Sequence, residues 1–224
     1  MTTRVAWHGA VARTFVLRRG ERLNGYTHLL GLVAACLGAV WLMARLPTDI
    51  PLAKAIGAIV FALSAIALYA TSTLFHTAAG ATRARWERAD HCAIYLLIGG
   101  TCTPFVVASL GGAWAVGLLT LVWAAACAGI AHELRPRATA APSLRNYIVM
   151  GWLCVLLAAP LAARLDRLAL MGPIAGALVY SAGTPFYRNR RQWAHAHGVW
   201  HLFVLGGTIV HYVTVARLVL QATS

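Results

Sequence analysis

Residues 53–76 read AKAIGAIVFALSAIALYATSTLFH. After Lys54 at the entrance, every position up to Ala70 is apolar, aromatic or small, and the run ends on Ser72 and His76. About 20 such residues form a helix that crosses a bilayer, satisfying its own backbone where no water can. Working outward, the pattern recurs and predicts seven helices, at 23–44, 53–76, 91–110, 113–131, 146–163, 168–184 and 197–219. Segment 168–184 is the shortest and contains Pro173, a kink that neighbouring helices can accommodate. The expectation is an all-α, seven-transmembrane-helix bundle over 23–219, preceded by a basic N-terminal segment, 1–22. The connections are short, so one antiparallel bundle is expected, with no second domain.

Composition agrees. Of 224 residues, 60% are hydrophobic and 11% charged, against about 25% charged in a soluble domain. Mean hydropathy is +0.69. The net charge of +13 sits in short arginine clusters between apolar runs. That arrangement suits anionic lipid headgroups and argues against a nucleic-acid partner. Cys36, Cys92, Cys102, Cys127 and Cys154 all lie in apolar stretches without a CxxC pair and read as packing residues, not metal ligands. The first 22 residues lack the apolar core and small-residue cleavage site of a signal peptide, so the first apolar run is expected to be retained.

Loop charge sets orientation. On one side lie Arg4, Arg13, Arg18, Arg19 and Arg22, then Arg83, Arg85 and Arg88. Arg135, Arg137 and Arg145 join them, followed by Arg188, Arg190 and Arg191. The other side holds Arg45, Lys54, Arg164, Arg167 and Arg217. Fourteen cations against five predict a cytoplasmic N-terminus and a C-terminus outside, in the inner cell membrane.

Ionisable groups inside hydrocarbon cost about 2.5–3.5 kcal/mol on insertion scales, so those that persist are functional candidates. Four stand out: His76, Asp90, His197 and His201. His197 and His201 are four apart, which puts both imidazoles on one helical face, a familiar half-site for zinc. His76 ends the second helix, with Ser72 one turn deeper on the same face. Asp90 opens the third. The predicted topology brings all four to the same cytoplasmic level. Three neutral imidazoles and a water would make a zinc site with an open position, although other borderline metals also accept imidazole. Each histidine also reads as an ordinary interfacial residue, and spacing alone does not choose.

Other polar residues are placed by the same logic. Glu21, Asn24 and His28 share one face of the first helix. They can support the site, although helix entry and interhelical hydrogen bonding is the simpler account. His91 is next to Asp90 and expected to point elsewhere; His195 is off the face of His197. His211 lies about 15 Å beyond His201, too deep for the same metal. His132 and Glu133 read as interfacial. Gly99, Gly100 and Pro104 suggest a kink or close packing.

Taken together, the runs ERLNGYTH (21–28), STLFH (72–76), DHCAIYLLIGGTCTPF (90–105) and HGVWHLFVLGGTIVH (197–211) resemble the hemolysin III family, within the wider progestin and adipoQ receptor group. The resemblance spans the whole chain in the same order. It implies seven transmembrane helices with a cytoplasmic N-terminus. It implies zinc held by His76, His197 and His201, with Asp90 and Ser72 supporting the metal's water. Relatedness to alkaline ceramidases implies hydrolysis of lipid amides; the hemolysin III name implies pore formation instead.

Three functional classes follow. A zinc-dependent hydrolase of lipid amides or esters would use Asp90 as base and Ser72 to steady the water or a developing oxyanion, with membrane lipids as partners. A pore-forming hemolysin would lyse membranes without covalent change, though no extended amphipathic hairpin and no secretion signal support it. A sensor of membrane state would use zinc as a structural staple. A retinal protein is disfavoured, because Lys54 sits at a helix entrance. Substrate and oligomeric state are not legible.

Overall fold

The computed structural model describes residues 20–135, 144–157 and 167–221. Seven helices follow in order: α1 Arg22–Arg45, α2 Leu52–Thr77, α3 Gly80–Ser109, α4 Gly112–Leu134, α5 Leu144–Leu157, α6 Arg167–Arg188 and α7 Ala196–Leu220. Among the described residues there is no strand. Six helices are long and apolar enough to cross a membrane; α5, described over 14 residues, is shorter. Residues 158–163 of the fifth predicted span, like most of segment 1–22, lie outside the described residues.

The boundaries match expectation to within a few residues except at α3. That helix starts at Gly80, not 91, after only Ala78 and Ala79. Its first ten residues, GATRARWERA, are polar but rich in good helix formers,. Hydropathy locates the part of a helix that meets lipid, not the part that projects beyond it. A 30-residue helix is about 45 Å long, well over the hydrocarbon thickness. Arg83, Arg85 and Arg88 therefore lie on a helical stem, not in a loop, and Asp90 sits one third of the way along the helix instead of opening it. The sixth helix, the shortest of the predicted spans, is continuous through Pro173 and Pro185.

The helices are not equivalent. Within the apolar windows of α2, α3 and α7, 44–50% of residues are buried, against 17–22% in α1, α4 and α6. The inner three hold the middle of the bundle, with Phe61, Leu68, Leu97 and Val204 in one continuous core. A second cluster, Tyr95, Val122, Ala126, Tyr147 and Met150, ties α3 to α4 and α5. The outer faces carry bare apolar side chains such as Leu37, Val40, Trp114 and Val213. Large exposed apolar surface of this extent marks a membrane-facing protein. Close packing of α2 on α3 depends on Gly100, where a Cβ would fall on the Ser64 hydroxyl.

Candidate metal centre

The site gathers where the last turn of α2 meets the first turns of α7. His76 is the penultimate residue of α2, and His197 and His201 occupy successive turns of one α7 face. The α6–α7 connection sets that start. Asn189 Oδ1 accepts the Trp193 backbone N–H at 2.8 Å, and His195 adopts φ 64° just before the helix. Ring centroids lie 5.3 Å apart for His76–His197, 4.9 Å for His76–His201 and 4.6 Å for His197–His201. One nitrogen from each ring falls within 4.8 Å of the other two, a group that could hold a metal ion.

The outer partners fix which nitrogen His76 and His201 present. Glu21 Oε2 lies 2.7 Å from His76 Nδ1 and also accepts from Asn24 Nδ2 at 2.7 Å. Glu21 Oε1 accepts from Arg83 at 2.8 Å. A carboxylate surrounded by donors can only accept, so His76 Nδ1 carries a proton and Nε2 is the nitrogen that the neutral ring leaves for a ligand. That Nε2 is buried and has no hydrogen-bond partner. His201 Nδ1 faces the Asn24 carbonyl at 3.2 Å and the Thr27 hydroxyl at 3.3 Å. A carbonyl also only accepts, so this ring too turns Nε2 to the centre. A carboxylate or carbonyl on the far nitrogen is how protein imidazoles are oriented towards metals. The His76 hydrogen bond, then Asn24 and the Arg83 charge, hold the Glu21 carboxyl down to about 2 against partial burial. It is therefore ionised at any ordinary pH. Three imidazoles with one orphaned, buried ring nitrogen fit a borderline divalent cation better than any intraprotein partner.

Asp90 and Ser72 complete the surroundings. They lie within electrostatic reach of each other and are buried at 9% and 0% exposure, and neither Asp90 Oδ1 nor Ser72 Oγ has a partner at hydrogen-bond geometry. Asp90 shares the walls of a cavity of about 570 Å³ with all three histidines. The cavity passes from Glu21 and Arg83 down to His211 and is mainly apolar below the histidines, with Leu97, Phe105 and Val122 in its walls.

Several expected placements are overturned. Glu21, for which helix entry was the simpler account, bonds directly to His76. His28 stacks on His201 at 3.6 Å between centroids, and neither of its nitrogens has a partner. The i, i+3, i+7 spacing of Glu21, Asn24 and His28 was the visible signal. His91 lines the cavity instead of pointing away, and Glu133, at the end of α4, is buried. His211 does lie apart from the three imidazoles, and His195 is exposed.

Comparison with known proteins agrees across nearly the whole chain. The profile described as "Haemolysin-III related" matches residues 17–212. The hemolysin-3 homolog of Bacillus subtilis (strain 168) is 34% identical over 87% of this chain and 92% of its own length. Hemolysin-3 of Bacillus cereus is 32% identical over 91% and 94%. The human monocyte to macrophage differentiation factor is 27% identical over 86% and 81%.

Proposed function

Since this chain belongs to the haemolysin-III related family of multi-pass membrane proteins, we propose that it is a zinc-dependent hydrolase of lipid amides or esters in the inner cell membrane. It spans the bilayer seven times with its N-terminus in the cytoplasm, a reading supported by the fourteen-to-five division of cations,. The observation that carries the chemistry is the orphaned, buried His76 Nε2 facing two further imidazoles, beside an incompletely bonded carboxylate.

His76, His197 and His201 hold the ion. Zinc bound there supplies a Lewis acid for a carbonyl oxygen and a water acidified to about pKa 7. Asp90 takes the proton of the attacking water at Oδ1 and returns it to the leaving amine or alcohol. Ser72 offers its hydroxyl hydrogen to the oxyanion that develops on the carbonyl. Glu21 and Asn24 hold the two rings in the ligating tautomer. The cavity below the histidines takes the acyl chain and keeps bulk water from it.

Two measurements on purified protein test this together. Metal analysis should find about one zinc per chain in the wild type and in Asp90→Asn, and none in His201→Ala. Turnover of a long-chain lipid amide should be blocked by chelation and fall roughly 100-fold or more in Asp90→Asn. Wild-type turnover by zinc-loaded Asp90→Asn would remove Asp90 from the chemistry, and no chelator-sensitive turnover by the zinc-loaded wild type would remove the hydrolase and leave a sensor with a structural metal.

A further inference from the structure

His211 lies ten residues beyond His201 on α7, about 15 Å deeper. It takes no part in the chemistry above, yet it is built into the cavity wall. Its ring occupies a notch on α6 that exists because residue 176 is glycine; a Cβ there would overlap the imidazole. It is 7% exposed. Nε2 reaches only the Pro173 carbonyl, at a long 3.4 Å, and Nδ1 has no partner. A carbonyl only accepts, so Nε2 bears the proton and Nδ1 is a bare acceptor.

The neighbouring hydroxyls have the same polarity. Thr208 Oγ1 spends its proton on the Val204 carbonyl at 3.0 Å. It must therefore accept from Tyr69 at 2.8 Å and from Tyr180 at 2.7 Å. That leaves the Tyr180 oxygen with lone pairs and no proton to give. The Tyr180 and His211 rings lie 5.6 Å apart, and both residues line the cavity. A buried acceptor without a donor is costly; Tyr180, its proton spent on Thr208, has none to give to His211 Nδ1, and a single O–H would supply it.

We propose that His211 and Tyr180 form a second, deep subsite that receives a hydroxyl group carried on the acyl chain of the lipid, roughly a dozen carbons from the bond that is cut. The proposal rests on the hydrolase reading for its substrate class and adds the feature that selects among chains. Because the subsite only accepts, it favours a hydroxyl and not a ketone at the same carbon. The depth also sets the position: a hydroxyl midway along the chain falls short of the His211 nitrogen.

The test is binding of free fatty acids to the purified zinc-loaded protein in nanodiscs, read by displacement of a fluorescent fatty acid. The probes are octadecanoate and its 12-hydroxy, 12-oxo and 6-hydroxy derivatives. In the wild type, the 12-hydroxy acid should bind about three- to tenfold tighter than octadecanoate, and the 12-oxo and 6-hydroxy acids no tighter. His211→Phe should erase the preference of the 12-hydroxy acid over octadecanoate. Equal binding of all four chains to the wild type, as expected if only a water sits there, would overturn the subsite and leave the lipid cavity standing. No displacement by any chain would overturn both. The wild-type comparison decides the matter even where the variant does not fold.

Discussion

Replacing Glu21 by Gln removes one charge from the outer support of the site and nothing from its ligand set. In the wild type one carboxylate serves three donors: His76 and Asn24 on Oε2, both at 2.7 Å, and Arg83 on Oε1 at 2.8 Å. A glutamine has one acceptor oxygen. If it faces His76, its NH2 confronts the Arg83 guanidinium; if it faces Arg83, His76 loses its acceptor and the grip on its tautomer. Loss of such a partner typically weakens metal binding 10- to 100-fold, about 1.4–2.8 kcal/mol. The assay is zinc competition with a chelator of known affinity, at fixed pH, on wild type, Glu21→Gln and Arg83→Gln. Arg83→Gln leaves the Glu21–His76 bond in place, so it should stay within about threefold of wild type, the difference of one partly exposed ion pair,. Affinity of Glu21→Gln within twofold of wild type would refute the argument, as would an equal loss in Arg83→Gln. Acid offers an independent reading. The Glu21 carboxyl is depressed from 4.5 to about 2, so its contribution is complete above pH 4.5 and lost as pH falls towards 2. In metal-free protein, the stability gap between wild type and Glu21→Gln should close over that window.

Gly100→Ala places a Cβ on the Ser64 hydroxyl and should cost about 1–3 kcal/mol through overpacking of α2 on α3, read as a lower thermal midpoint in detergent. Adding Ser64→Gly should recover most of that loss; no recovery would mean the two helices do not meet there. Reconstituted protein should turn over lipid amide without releasing dye from liposomes. Release without turnover would favour a pore.

What the sequence made legible is depth. The apolar runs locate the part of each helix that meets lipid, the arginine clusters give the expected cytoplasmic side, and a residue's distance from the end of a run gives its level. Those three rules alone bring His76, Asp90, His197 and His201 to one height. They work because hydrocarbon demands backbone satisfaction within each span, so every span is read independently of its neighbours. They fail for the polar stem of α3, where helix continues past the lipid and hydropathy has nothing to report.

Direction about the bundle axis is a different coordinate, and a single helix does not contain it. Periodicity says that Glu21, Asn24 and His28 share a face; it cannot say that this face looks at α2 and α7. Glu21 meets His76 across 55 positions, and His28 meets His201 across 173 positions of chain. His91, one step round the helix from Asp90, was expected to point away, but the cavity is broad enough to take in both. His211 shows the two coordinates together. Its depth correctly separated it from the three imidazoles, while the glycine notch and the acceptor-only surroundings that give it a use lie on α6 and on the next turn of α7. A chemical group set by level can be read from one helix. A group defined by what faces it requires the packed bundle, and the orphaned nitrogens of His76 and His211 are visible only there.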